Sequence, residues 1–176
     1  MSKENQWRDN NAEAIKKLGK LIKDIRIAMF TTVHDDGVVR SRPMATQGAE
    51  FDGDLWFLTR VDTSKVTDVK RYEQVNVSYS STDDNRYVSV TGSAEVLNDR
   101  AKMKELWSPA FKIWFPDGLD DPRLRLIKVT VAEAEYWDTP GGLVAVAVGF
   151  VKSVVTGKTA KIGDNQTVKL EDARSM

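Results

Sequence analysis

The sequence predicts a mainly β protein of the α+β class, in which a six-stranded antiparallel sheet closes into a small barrel flanked by helices. Three observations favour this fold class. Short runs rich in β-branched and aromatic residues recur along the chain, and turn residues such as those at 35–37 and 52–54 separate them. The regular strand–helix alternation that a parallel sheet requires is absent. Closure into a barrel would also remove exposed sheet edges.

The first half of the chain predicts one helix, three strands and a second, short helix. Apolar residues recur at three- and four-residue steps over residues 12–25, with lysines between them, which indicates an amphipathic helix. Strands are predicted over residues 27–33, 38–44 and 55–59. The short helix then runs to residue 71, with Thr63 or Ser64 as its N-terminal cap.

The second half adds three more strands and several helical segments. Strands are predicted over residues 75–80, 86–97 and 124–137, the last long enough to be bent. Asp99 is expected to cap a helix that ends at residue 106 or 107, and a second short helix is expected to end at residue 114. Residues 142–155 are assigned to a helix, although their valines would also suit a strand, and the tail from residue 156 to a polar hairpin.

These elements are expected to form a single domain. It comprises an N-terminal helix (residues 1–26), a barrel with inserted helices (27–137), and a C-terminal helix and tail (138–176). A chain of 176 residues is long enough to bury a substantial core.

Composition excludes several classes of function. The 26 basic and 26 acidic residues leave no net charge, which argues against a nucleic-acid or membrane-surface binder. Without cysteine and with a single histidine, His34, a disulfide or a metal centre is not expected. His34 lies beside a hairpin turn and is expected to be exposed and inert. The polar first residues and the absence of a long apolar run predict a soluble cytoplasmic protein with no membrane partner.

Two segments carry the residue types that bind a phosphate monoester. Arg40 and Arg42 lie on one predicted strand, and Ser64 and Lys65 lie about twenty residues later, where a strand gives way to a helix. A guanidinium can grip phosphate bidentately, and a helix start offers free N–H groups and a positive dipole. Simpler roles remain open: the arginines could pair with acidic side chains, Ser64 could only cap the helix, and Lys65 could be solvated.

The order of motifs along the chain is similar to that of a known family. Arg-x-Arg-Pro-Met occurs at 40–44, Trp-Phe-Leu-Thr at 56–59, Thr-Ser-Lys at 63–65, Trp-Phe-Pro-Asp-Gly at 114–118, and Glu-Tyr-Trp-Asp at 135–138. The series resembles the pyridoxamine 5′-phosphate oxidase superfamily of FMN-binding split barrels, and within it the bacterial general stress proteins. The resemblance extends over roughly residues 12–160, and the last two motifs are its most specific part.

The resemblance implies a homodimer that binds FMN in two symmetric clefts between its subunits. It places Arg42, Ser64 and Lys65 at the FMN phosphate, and Tyr87 on a strand that faces the flavin. The residues that it places along the isoalloxazine ring and the ribityl chain are Met44, Ala45, Thr46, Leu58 and Thr59. The residues that it places where a partner subunit closes the cleft are Trp107, Trp114 and Trp137. These tryptophans could instead fill the core or a dimer interface.

Two departures argue against vitamin B6 oxidation. The B6 oxidases carry an arginine and a histidine after the late tryptophan, where this chain has Asp-Thr-Pro-Gly-Gly at 138–142. Gln47 also stands where those oxidases tend to have a lysine. We therefore expect an FMN-binding oxidoreductase of unknown substrate, with no assigned catalytic residue. The alternatives are a non-enzymatic flavin carrier or sensor, or a barrel that binds a deazaflavin or, less readily with one histidine, haem.

Overall fold

The structure is a computed structural model that describes residues 11–47, 50–138 and 164–170. These residues form one seven-stranded sheet with three α-helices against it. The strands are β1 (Ile27–Val33), β2 (Val39–Ala45), β3 (Asp54–Arg60), β4 (Gln74–Ser81), β5 (Arg86–Leu97), β6 (Leu124–Asp138) and β7 (Asp164–Lys169). The helices are α1 (Ala12–Ile22), α2 (Ser64–Arg71) and α3 (Arg100–Leu106), followed by 3₁₀ turns at Pro109–Ile113 and Gly118–Asp120.

The strand order is β2-β1-β4-β5-β6-β3, and every pairing is antiparallel. The predicted split-barrel α+β fold is therefore confirmed. Hydrogen bonding does not close the ladder, however, because β2 and β3 form the two ends of this path. Pro43 lies on β2 and has no backbone N–H, which suits a strand with one unpaired edge.

The long strand β6 serves two partners along one edge. The first part of β6 pairs with β3 and its last part with β7. On its other edge, β6 pairs with β5 along nearly the whole length of β6. The register with β5 shifts between Thr91 and Gly92, which leaves Ala132 as an extra residue. Gly92 is required here because a Cβ atom would lie 2.3 Å from the Thr130 carbonyl oxygen. A bulge of this kind bends the strand that carries it.

Two hydrophobic clusters lie on opposite faces of β3. In the first, inside the barrel, the rings of Phe30 and Phe57 meet edge to face at 5.6 Å, and α1 covers them with Leu18 and its neighbours. In the second, Leu58 packs with residues of α3 and of the turn that follows it. Because successive strand residues point to opposite faces, β3 is buried on both sides. The second cluster holds the 109–118 segment against the barrel.

The observed elements differ from the predicted ones at a few boundaries. The first helix ends at Ile22 rather than at residue 25, because the chain turns there to enter β1, although Ile25 remains buried. Asp99 caps α3 as predicted, accepting a hydrogen bond from the Lys102 amide at 2.9 Å. The segment before Trp114 is a 3₁₀ turn.

The predictions for the C-terminal part concern residues that are mostly outside the described ranges. The helix assigned to residues 142–155 and the start of the hairpin assigned from residue 156 both lie there. Residues 164–169 do form a strand, β7, which adds a seventh strand to the six predicted. None of the helices within the described ranges has the length and apolar character needed to cross a bilayer.

Candidate functional site

A cleft of about 340 Å³ opens between β2, β3, the start of α2 and the turn after α3. It brings together half of the residues that the sequence predicted for the site. These are Met44, Ala45, Leu58, Thr59, Lys65 and Trp114. Its volume lies within the range of small-molecule sites.

The walls of the cleft are mainly apolar. Met44 and Leu58 are buried on the two end strands of the sheet, where the open ladder leaves room between them. Phe111 and Phe115 form the opposite wall, and the second hydrophobic cluster fixes them in place. Trp114 is 54% exposed at the rim. The cleft can therefore accept a flat apolar group and leave one side of it accessible.

Several lining residues were not predicted from the sequence. Ile27, Pro43, Phe111 and Phe115 are apolar, and the alternation of β1 with β2 could have indicated the first two. The polar ones are Gln47, Arg60 and Thr63. Among the described residues, the buried side-chain nitrogen of Gln47 has no hydrogen-bond acceptor. A buried donor of this kind calls for a partner.

One end of the cleft is cationic. Lys65 is the second residue of α2, is partly buried, and makes no hydrogen bond or ion pair with any residue in the described ranges. Burial, followed by the nearby charge of Arg42, lowers the pKa of Lys65. The first turn of α2 contains no acidic residue, so the positive end of the helix is not neutralised there.

Arg42 is held next to this end by a network of hydrogen bonds. Its Nη1 donates to Thr32 Oγ1 at 2.7 Å, and its Nη2 donates to Asp68 Oδ2 at 2.9 Å. The same Nη2 lies 3.4 Å from Ser64 Oγ, at the start of α2. Arg40, in contrast, pairs with Asp36 at the surface at 3.0 Å. The two arginines of the motif therefore have different environments, and only Arg42 reaches the helix.

Asp68 is the centre of the network and was not identified from the sequence. Its side chain is fully buried and also accepts a hydrogen bond from Thr32 at 2.7 Å. Burial alone would raise the pKa of Asp68, but hydrogen bonds from Thr32, His34 and Arg42 outweigh it and hold the pKa below its ordinary value. An aspartate between the buried Val66 and Val69 of a short helix was the signal that could have revealed it.

The expectation that His34 is exposed and inert is wrong. Its Nδ1 lies 2.7 Å from Asp68 Oδ1, and its side chain is only 30% exposed. His34 follows the last residue of β1, at the start of the hairpin turn that leads to β2. Because α2 packs against β1, the side chain of His34 can contact this helix.

Four predicted site residues lie away from the cleft of a single chain. Thr46 lines a second cavity of about 870 Å³ beside α1, and its hydroxyl donates to the Ile25 carbonyl at 2.7 Å. Trp107 packs against Phe111, with ring centroids 5.9 Å apart. Tyr87 and Trp137 are opposite one another on β5 and β6, and both are exposed. Their roles at a ligand remain predictions.

Comparison with known proteins agrees with the fold. The chain is 28% identical over 173 residues to protein bli-3 of Neurospora crassa, covering 93% of this chain and 83% of that protein. A candidate general stress protein 26 from Jannaschia sp. CCS1 superposes with a TM-score of 0.74 at 27% identity, over 90% of this chain and 99% of the other.

A second solved structure is the general stress FMN/FAD binding protein of Xanthomonas citri. It has a TM-score of 0.62 and 27% identity, over 72% of this chain and 89% of the other. The predicted likeness to general stress proteins is thus confirmed. Residues 13–161 match the family described as pyridoxamine 5′-phosphate oxidase like, and the chain therefore belongs to that family.

Proposed function

We propose that the chain binds flavin mononucleotide in the cleft and acts as a flavin-dependent oxidoreductase of the general stress protein type. One observation carries the proposal. Lys65, a partly buried cation that makes no hydrogen bond or ion pair with the described residues, lies near Arg42 in a first helical turn without acidic residues and lines an apolar cleft. FMN has the complementary parts, a dianionic phosphate at one end and a flat ring system at the other.

The phosphate end of FMN fits the cationic end of the cleft. Lys65 would supply a charge, Ser64 a hydroxyl, and the helix start its backbone N–H groups. Arg42 reaches Ser64 from β2, so its guanidinium edge lies beside the same position. A dianion bound there would also act against the lowering of the Lys65 pKa, because an anionic partner favours the charged ammonium.

The ring and ribityl chain fit the rest of the cleft. Met44, Ala45 and Leu58 would contact the ring, and Thr59 and Thr63 could bond the hydroxyls of the ribityl chain. The unpartnered nitrogen of Gln47 would donate to an acceptor on the ring. When bound, the flavin supplies hydride or electron transfer, whereas the protein orients it and restricts water on the buried side.

We further propose that a second copy of the chain covers the open side. Five strands share one face, and a row across it consists of Pro43, Met29, Ser78, Ser89 and Glu135. Ile27 and Met29 are 48% and 41% exposed on this face, which adjoins the cleft. Tyr87 and Trp137 belong to the same face by strand alternation. In a twofold dimer, these aromatic residues could therefore approach the partner's cleft.

Flavin binding and assembly can be tested on the purified protein. We expect a yellow protein with one FMN per chain and a solution mass of two chains. A fluorescence-quenching titration should show that riboflavin, which lacks the phosphate, binds more weakly than FMN. Colourless protein that does not quench added FMN would refute the proposal.

Turnover requires a separate measurement. Stopped-flow mixing with NADH or NADPH should reduce bound FMN faster than free FMN. If bound FMN were reduced no faster than free FMN, the result would exclude the proposed oxidoreductase activity with these reductants and favour a flavin carrier or sensor. If a deazaflavin copurified in preference to FMN from a host that makes both cofactors, the deazaflavin and not FMN would be the ligand.

A further inference from the structure

The network around Asp68 links the cationic end of the cleft to the only histidine in the chain. The two oxygens of the buried carboxylate have different partners. Oδ2 accepts from Thr32 and Arg42, and Oδ1 is bonded to His34. Since Thr32 also accepts a hydrogen bond from Arg42, the guanidinium is fixed at two points. Asp68 therefore determines where Arg42 points.

Asp68 also changes the charge that a ligand meets. In the ion pair with this fully buried carboxylate, Arg42 offers donors but little net charge. Among the described residues at the start of α2, Lys65 then provides a positive charge that no ion pair compensates, although Asp62, which pairs with Arg60, also acts on it electrostatically. A phosphate monoester dianion carries two negative charges, so one of them remains unmatched.

Protonation of His34 would supply the second positive charge. The Nδ1 of His34 lies 2.7 Å from Asp68 Oδ1, and the side chain is 30% exposed, so solvent reaches the ring. Imidazole side chains change charge between about pH 5 and 8, whereas the pKa of Asp68 is held below its ordinary value, so Asp68 stays ionised there.

The other charged groups near His34 compensate one another. In the hairpin turn, Asp36 pairs with Arg40 of β2 at 3.0 Å. Asp35, in the same turn, pairs with Arg71 of α2 at 2.9 Å. The remaining charged groups on β2 and α2 are Arg42, Lys65, Asp68 and Lys70, and Lys70 is exposed in the last turn of α2. His34 is the one imidazole among these groups, so a change in its charge is not offset by a second imidazole beside it.

We propose that Asp68 and His34 are positioning residues of the phosphate site, with Asp68 orienting Arg42 and His34 acting through Asp68 so that protonation of His34 strengthens phosphate binding. The inference depends on the proposed function, because it concerns the same FMN site. It gives the site a proton-linked affinity, which rises as the pH falls through the range of the histidine.

The first test compares FMN affinity in the full-length wild type and in His34→Gln. Glutamine can still donate a hydrogen bond to Asp68 but cannot gain a charge. We expect the ratio of the wild-type to the variant association constant to be about three to ten times larger at pH 6 than at pH 8, the scale of a charge several ångströms away. The phosphate of free FMN also gains a proton near pH 6, but this cancels in the ratio because the free ligand is the same in both titrations.

The second test uses wild type alone. With one histidine in the sequence, a single imidazole signal in the proton NMR spectrum reports the protonated fraction of His34. Addition of FMN at constant pH near 6.5 should raise this fraction, because coupling between two binding events is reciprocal. Riboflavin is the matched control and should leave the fraction unchanged.

The outcomes separate this inference from the proposed function. Suppose that FMN binds wild type, but that the affinity ratio does not change with pH and the imidazole signal does not change on addition of FMN. This result would overturn the inference about His34 and would leave the proposed FMN binding intact. Wild type that binds no FMN at any pH would overturn both. If His34→Gln does not fold, the NMR measurement on wild type decides alone.

Discussion

Replacement of Lys65 by glutamine tests the phosphate end of the cleft most directly. Lys65 makes no hydrogen bond or ion pair with the described residues, so the substitution removes a charge without breaking such a contact. Two unit charges 4 Å apart attract by about 4 kcal/mol at an effective dielectric constant of 20. Partial solvation of Lys65 reduces this, and we expect a loss of about 1–3 kcal/mol of FMN binding free energy, as for a charged hydrogen bond.

The corresponding change in affinity is readily measured. A loss of about 1–3 kcal/mol weakens the Kd by about 5-fold to 150-fold. Flavin fluorescence quenching gives this Kd, and riboflavin should bind both proteins equally because it lacks the phosphate. Lys70→Gln is the matched control, since Lys70 is exposed in the last turn of the same helix.

Stability without ligand should respond in the opposite direction. The pKa of Lys65 is lowered in the folded chain, mainly by burial, so its positive charge opposes folding at every pH below the folded pKa. This cost disappears as the pH rises toward the pKa of an unfolded lysine. The Lys65→Gln variant should therefore unfold at equal or higher urea concentration than wild type. Equal FMN affinity in wild type and Lys65→Gln, or an equal loss in Lys70→Gln, would refute the reasoning.

Four other predictions address the network, the sheet and the dimer. Thr32→Val should lower the free energy of unfolding in urea by about 1–3 kcal/mol, because Arg42 and Asp68 each lose a buried partner, whereas Ser41→Ala, at the surface, should change it little. The pKa of Asp68 is lowered on folding, so its stabilising contribution is present above the pKa of an unfolded aspartate and is lost as the pH falls through the folded pKa. Between neutral and acidic pH, the free energy of unfolding of Asp68→Asn should therefore fall less than that of wild type. Urea titrations at several pH values would measure this difference. Gly92→Ala should destabilise the fold by about 1–3 kcal/mol, because its Cβ would lie 2.3 Å from the Thr130 carbonyl oxygen. Gly19→Ala, where the nearest atom is 3.5 Å away, should be neutral or stabilising. A higher melting temperature for Gly92→Ala than for Gly19→Ala would contradict this. Met29→Glu should halve the solution mass measured by light scattering, because it places a charge on the exposed sheet face, and a dimeric variant would exclude that face as the interface.

Most of the secondary structure followed from local sequence patterns. Alternation placed β1, β3 and β5 within one residue of their predicted bounds, and turn residues located the hairpin between β1 and β2. The end of α1 and the strand β7 did not follow, since both depend on what the chain packs against. Short polar strands such as β7 acquire their conformation from a partner strand.

The candidate site was predictable only in part. Lys65 and Ser64 were found because a helix start is a local feature, and Met44 and Leu58 because a recognised motif marks them. Asp68 and His34 were missed because their contact joins residues 34 positions apart. Phe111 and Phe115 were missed because only the second hydrophobic cluster brings them opposite β2.

The sequence by itself determined the class of fold, the strand faces and the chemical types at the phosphate end, since these depend on periodicity and on neighbouring residues. The tertiary structure decided which of the two arginines reaches the helix, that a buried carboxylate fixes it, and that the histidine joins them. The alternation of side chains along a strand specifies the face on which a residue lies, but not which residue of another element it contacts there. That choice depends on how the sheet folds over and where α2 packs against it.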